Sequence, residues 1–199
     1  MSVADVSPIV WAAQGITSDA GQRTAPSAQQ IYPLTVYVFS QNVSGLAPGA
    51  YRYVPQGHPL EVIGLGDMSQ QFRTPAPVGF VIVIDLDKKP GTRPAANGTG
   101  PGSTAPVATP GVLPAVSPGV SVSAAAPAPA GSSGMTEETI HSWYYAEAGH
   151  AAQNMYLQAE RLDLGMVTPA RFDAAKLQSL LHLEGNMTPF YYIPAGHPA

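Results

Sequence analysis

The chain offers few side chains for acid–base, metal or thiol chemistry. It has five histidines, thirteen carboxylates and no cysteine. Without cysteine there is no disulfide framework, thiolate zinc site or thiol nucleophile. His58, His141, His150, His182 and His197 match no HExxH or other ligand spacing, so no metal site is expected. Ser27 stands in Pro26-Ser27-Ala28-Gln29 rather than in a GxSxG elbow, which removes local support for hydrolase chemistry. Gly64-Leu65-Gly66-Asp67-Met68-Ser69 starts like a dinucleotide fingerprint after a strand. It lacks the third glycine and the following helix, so it reads as a turn. No GxxxxGK[ST] phosphate loop occurs. Glu147 and His150 are spaced i, i+3 on a helical stretch, and could form a polar pair or present a proton donor. No side chain emerges as a catalytic nucleophile.

These residues must be positioned by a mixed α+β fold. Near the N-terminus, Asp5 and Ser7 are candidate helix caps, Pro8 suits a first turn, and Ile9 to Ala13 supply the apolar face before Gly15. Residues 16–30 read as a loop or a short helix start. Leu34 to Phe39 is β-branched and aromatic, a strand. Ala50 to Val54 and Leu60 to Ile63 flank the turn Pro55-Gln56-Gly57-His58, as a hairpin would. Val78 to Ile84 is the most apolar run, which predicts a central strand buried on both faces. Thr136 is a plausible N-cap with Glu137 and Glu138 in the first turn. The helical pattern then continues to about Leu164. Small residues on several of its faces predict a helix approached from more than one side. Phe172 to Leu183 reads as a second amphipathic helix, and Phe190 to Ile193 as a terminal strand.

Glycine and proline are abundant, 20 and 21 of 199 residues, and they concentrate between Pro90 and Gly134. From Ala95 to Gly134 no residue is charged. This composition predicts a low-complexity, flexible insert over 90–134. It divides a single domain into a first part, 1–89, and a second, 135–199. Nine Lys plus Arg, a formal charge of −4 and a pI near 5.6 argue against a nucleic-acid binder. No apolar run reaches the roughly 18 residues of a membrane helix, and Met1 to Ala13 does not read as a signal peptide. A cytoplasmic protein without membrane or nucleic-acid partners is expected.

Six blocks carry a combined signature. They are Trp11-Ala12-Ala13-Gln14-Gly15-Ile16-Thr17; Gly21-Gln22-Arg23-Thr24-Ala25-Pro26-Ser27-Ala28; Tyr32-Pro33-Leu34; Gly45 to Tyr53; His58 to Glu61; and Glu147-Ala148-Gly149-His150-Ala151-Ala152-Gln153-Asn154. Leu157-Gln158-Ala159 and Leu164-Gly165 follow. In order and spacing the chain resembles the nitroreductase family, and within it the SagB-type dehydrogenase branch. The resemblance implies a central, mostly antiparallel sheet wrapped by helices, a homodimer, and non-covalent FMN at the dimer interface. It also implies hydride transfer through the flavin, with a small molecule or a modified peptide as substrate.

Carried over residue by residue, Pro26, Ser27 and Ala28 match the segment that packs on the flavin ring from the partner subunit. Arg23 precedes it and could approach anionic groups. Met166, Val167 and Thr168, with Pro169 and Ala170, match the loop over the other side of the ring, where the family offers backbone donors. Gln153 and Asn154 match a polar pair on the central helix that supports the site and interface. The chain departs from the family at three places. The Arg-Arg-Ser-type segment that binds the FMN phosphate does not precede the first block. Gln29 and Gln30 replace a glycine and a small residue. No basic tail follows the last strand, where His197 is the one candidate. The alternative reading is a flavin-free or weakly flavin-binding homologue with a structural or interaction role.

Overall fold

The computed structural model describes residues 1–68, 71–72, 75–91 and 135–198. The proposed insert lies outside the described residues except for Pro90 and Gly91. Six strands form one sheet: β1 (Leu34–Ser40), β2 (Gly49–Tyr53), β3 (Leu60–Leu65), β4 (Val78–Asp85), β5 (Gly165–Met166) and β6 (Met187–Gly196). Their order is β3-β2-β1-β4-β6-β5, and every pairing is antiparallel. β4 is central, as its apolar run predicts. Phe80, Ile82 and Ile84 point into the core on one face, and Val81 and Val83 into that on the other. In the same way β1 sends Val36 and Val38 to the first face and Tyr37 and Phe39 to the second. Two-sided burial explains why these strands read as continuous hydrophobic runs. The β2–β3 hairpin forms as expected, with a register shift at Ala50/Tyr51.

Helices α1 (Val3–Gln14) and α2 (Glu137–Arg161) pack on the first face, and α3 (Ala174–Leu180) on the second. Thr136 caps α2 as expected, its side chain accepting the Thr139 N–H. Two helix boundaries differ from the sequence reading. α1 begins earlier, with Ser2 as N-cap, and Pro8 lies inside it rather than in its first turn. The Asp5 carboxylate serves that N-terminus from within the helix, accepting from Ser2 N–H at 2.7 Å and Ser2 Oγ at 3.0 Å. α3 is shorter than Phe172 to Leu183 because Asp173 caps it, accepting the Lys176 N–H.

α2 also differs from the expectation of close approach on several sides. Tyr144, Glu147, Ala148, Ala151, Ala152, Met155 and Ala159 form one buried stripe, while Leu157 is exposed opposite and Tyr145, beside the stripe, stacks on Phe190. β6 extends well beyond Phe190 to Ile193. It includes Pro189, next to a register shift opposite Ile82/Val83, and Pro194. A proline inside a strand is tolerated at such irregularities because the missing N–H is not needed for the ladder there.

Candidate functional site

The loop between α1 and β1 carries the first group of site residues. Gly15 ends α1, and the chain folds back so that Ile16 bridges Arg23 and Thr24 N–H donates to Gly15 O at 2.9 Å. Arg23 is thereby turned inward. Its Nη1 donates to Gln14 Oε1 at 2.7 Å, and its guanidinium lies 4.5 Å from the Tyr32 ring centroid, a cation–π distance. Lys88 Nζ donates to the Tyr32 carbonyl at 2.7 Å, and the Tyr144 hydroxyl donates to the Lys88 carbonyl. Ser27 Oγ accepts the Tyr32 N–H at 2.8 Å. Contacts from α1, from the turn after β4 and, through Lys88, from α2 thus hold the loop.

That support matches an unusual backbone. Gln29, Gln30 and Tyr32 have φ of 51°, 57° and 48°. Left-handed backbone at residues with a Cβ costs on the order of 1 kcal/mol each and persists where the surroundings dictate it. The two glutamines therefore occupy conformations that glycine adopts freely. Pro26 and Ala28 are exposed and Ser27 is half-buried.

Glu147 lies under this loop, only 2 % exposed. Gln14 Nε2 donates to its Oε1 at 3.5 Å. Burial pushes its carboxyl up to about 7, against the opposing pull of the Ser27 hydroxyl, the Gln14 amide, Arg23 and Lys88. Burial likewise lowers Arg23 and Lys88, and nearby anionic groups raise both again. The expected Glu147–His150 pair is not formed: Glu147 is in the core and His150 is exposed. The i, i+3 spacing fits, but the α2 stripe puts position 147 with Tyr144 and Ala151 and position 150 outside. Sequence reading missed Gln14, Tyr32, Lys88 and Tyr144 as partners of the loop. For Gln14, the last residue of an apolar helix, the available signal was its place beside the glycine stop.

The second group lies elsewhere. β5 pairs Met166 with Ala195 at the sheet edge, and Val167 N–H donates to Pro194 O at 3.3 Å. Val167 is 52 % exposed. Thr168 Oγ1 and the Tyr156 hydroxyl hydrogen-bond at 2.8 Å, which ties this loop to α2. Among the described residues, the N–H groups of Thr168 and Ala170 make no hydrogen bond. Asn154, half-buried, donates to Thr24 O at 3.2 Å and supports the first loop, while Gln153 is exposed.

The strands that carry the two groups attach at opposite ends of the sheet. Leu34, at the end of the first loop, pairs with Ile84, whereas Ala195, which pairs with Met166, lies opposite Val78 at the other end of β4. Six residues along β4 and three strand spacings across the sheet put these anchors roughly 25 Å apart. On α2 the first loop is held by Asn154 and the second by Tyr156, two residues further along the helix. A flat ring held between two loops needs them only about 7 Å apart, two van der Waals spacings. The chemistry of the two groups does fit the two faces of such a ring: a small hydroxyl beside a proline on one, exposed apolar surface and unpaired backbone donors on the other. Among the described residues no cluster of three or more His, Asp or Glu could hold a metal ion, and no helix is long and apolar enough to cross a membrane.

A model of the nitroreductase family matches residues 119–197. The chain is 28 % identical over 205 residues to a candidate nitroreductase of Methanocaldococcus jannaschii, covering 98 % of this chain and 81 % of that one. A crystal structure of a candidate nitroreductase from Ralstonia eutropha superposes with a TM-score of 0.65 at 22 % identity, over all of this chain and 74 % of that one. The Escherichia coli microcin synthetase McbBCD complex, solved with truncated pro-MccB17 bound, gives 0.66 at 14 % identity, over all of this chain and 65 % of that one. A candidate nitroreductase from Desulfovibrio desulfuricans solved with FMN gives 0.51 at 19 % identity, over all of this chain and 76 % of that one. The fold is nitroreductase-like.

Proposed function

We propose that the chain is an FMN-dependent oxidoreductase of the nitroreductase type that works as a homodimer. The observation that carries this reading is the attachment of the two loops at opposite ends of the sheet, each suited to one face of a flat ring. A second copy closes that gap: the 26–28 loop of one protomer meets the 166–170 loop of its partner. The outward face of α2, where Leu157 is exposed, is the surface on which two copies would join. The family match over α2, β5, α3 and β6 and the FMN complex of a protein of the same fold support the cofactor assignment.

When bound, FMN supplies the centre that accepts and donates hydride. The protein supplies position. Ser27 and Pro26 pack one face of the ring, and Arg23 and Asn154 hold their loop in place. Thr168 and Ala170 direct N–H groups at the other face, beside Val167. Substrate is a small molecule or, if the SagB-type resemblance extends to activity, a modified peptide. The likeness to the McbBCD fold agrees with the latter. A cytoplasmic location belongs to the same reading, as does the division of one domain by an insert over 90–134.

The test is cofactor uptake by the purified chain. The reading expects a yellow protein that binds FMN in a quenching titration, with Ser27→Trp losing FMN while keeping its circular dichroism spectrum. A colourless chain that takes up no FMN would instead favour a flavin-free role.

A further inference from the structure

On the second face of the sheet, beside α3, lies a cavity that the proposed flavin chemistry does not use. Its walls include Phe72, Phe172, Leu177, Leu180 and Tyr192. On α3, Leu177 is buried but Leu180, three residues on, is only half-buried, as are Phe72 and Phe172. These apolar side chains are left partly uncovered around one space. About 80 Å³ of it is open to the centres of water molecules, room for roughly six waters or for one substituted ring. Pro169 also lines the cavity, so the 166–170 loop forms part of its boundary.

Tyr192, on β6 opposite Val81, is 4 % exposed, and its hydroxyl has no hydrogen-bond partner. Among the described residues it is the one member of the buried class with a side-chain polar atom left in that state. Its neighbours explain why. Phe72 stacks on the ring with centroids 4.8 Å apart, and the hydroxyl end lies over Gly79, which has no side chain to answer it. A buried tyrosine hydroxyl ordinarily finds a partner. Burial raises this phenol to about 12, so it stays neutral and can donate or accept. A water in such a place needs two or more polar partners, and the side chains around Tyr192 are largely apolar. An organic molecule with one oxygen on an apolar body suits both the walls and the hydroxyl.

The same cavity is bordered by charge. Arg171, exposed, and Lys176, half-buried, both line it. Among the described residues neither forms an ion pair. The carboxylate beside them, Asp173, is committed to capping α3, its Oδ1 accepting the Lys176 N–H at 3.0 Å. Two cations against one engaged carboxylate favour an anionic group at the opening. We propose that this cavity binds a single-ring aromatic acid, with its ring among Phe72, Phe172, Leu177 and Leu180, an oxygen on the ring paired with the Tyr192 hydroxyl, and its carboxylate on a short arm toward Arg171 and Lys176. The proposal stands whether or not the chain holds a flavin.

Isothermal titration calorimetry on the full chain tests this, with 4-hydroxyphenylacetate, phenylacetate and phenol as probes. Wild type should bind 4-hydroxyphenylacetate about fivefold more tightly than phenylacetate, the effect of one hydrogen bond of ordinary net strength. Tyr192→Phe keeps the ring and its stacking on Phe72, and should abolish that preference. Arg171→Gln combined with Lys176→Gln should weaken both acids several-fold and alike, and leave phenol unchanged. Leu180→Trp, at a half-buried position, fills the space and should lose every probe while keeping its circular dichroism spectrum. No binding of any probe at millimolar concentration would overturn the proposal, and so would equal affinities of wild type for the two acids. Binding that survives in a folded Leu180→Trp protein lies elsewhere, at the flavin if one is held, and would also overturn it. If Leu180→Trp does not fold, the Tyr192→Phe comparison decides: a preference for the hydroxylated acid that persists there refutes the site.

Discussion

Replacing Glu147 by Gln should stabilise the protein, and only above mildly acidic pH. The folded carboxyl is raised from 4.5 to about 7, chiefly by burial. Below about pH 4.5 the group is protonated in both folded and unfolded states and contributes no pH dependence. Between that pH and about 7 the unfolded chain has released the proton while the folded protein retains it, so stability falls as pH rises. Above 7 the loss is complete. At 1.36 kcal/mol per unit it amounts to about 3 kcal/mol, an upper figure because side chains around the site can relax. Glutamine is isosteric, keeps a carbonyl for the Gln14 amide and carries no charge to bury. Urea denaturation of both proteins at pH 5, 6, 7 and 8 should therefore show near-equal stability at pH 5. The variant should gain steadily to about 2–3 kcal/mol at pH 8, or about 4–12 °C in Tm for a domain of this size. A Glu147→Gln protein destabilised by the same amount at every pH would refute the reasoning. It would mean that the carboxyl titrates alike in the folded and unfolded chains and that glutamine loses a contact the carboxyl makes in either form.

Other consequences are simpler. Gly79→Ala should destabilise by about 1–3 kcal/mol in thermal or urea melts, because a Cβ there meets the Tyr192 ring at 2.7 Å and that ring is stacked on Phe72. Gln29→Gly should leave stability unchanged or raise it by about 1 kcal/mol, relief of the left-handed strain being partly offset by a more flexible unfolded chain; a clear loss would show that the Gln29 side chain matters to the loop. Deleting residues 95–130 should leave the melting temperature and the gel-filtration volume of the dimer as expected for the shortened chain, and loss of the dimer would give the insert a structural role.

The strands were legible where burial is two-sided or alternation is clean, as in β1, β4 and the β2–β3 hairpin. β5 was not, because a two-residue strand has no period to detect, and β6 was cut short because Pro189 and Pro194 argue against a strand, although Pro189 sits at a register shift and Pro194 pairs with Gly79. The start of α1 was misplaced because Asp5, a good cap residue by type, acts here as the N-terminal carboxylate for Ser2, and Pro8 is carried inside the helix. The loop residues Arg23, Pro26, Ser27 and Ala28 stood out through their resemblance to a family segment. What holds that loop did not. Gln14, Lys88 and Tyr144 are 133, 59 and 3 positions from Glu147, and only the crossing of α1 and α2 with the end of β4 makes the first two its neighbours. For Glu147 itself the helical stripe of Tyr144, Ala148, Ala151 and Met155 was present in the sequence, and weighting it above the i, i+3 spacing to His150 would have placed the carboxyl inside.

The central claim is that one flavin site is built from two chains, the 26–28 loop of one and the 166–170 loop of the other. Subunit mixing tests it most directly. Ser27→Trp blocks the first loop, and Val167→Trp with Thr168→Pro alters the second. Neither variant alone should hold FMN. After co-refolding in equal amounts, the mixed dimers should recover one intact site each, seen as FMN bound at about half an equivalent per mixed dimer chain. No recovery on mixing, with both variants folded and dimeric by sedimentation, would contradict a site shared between chains.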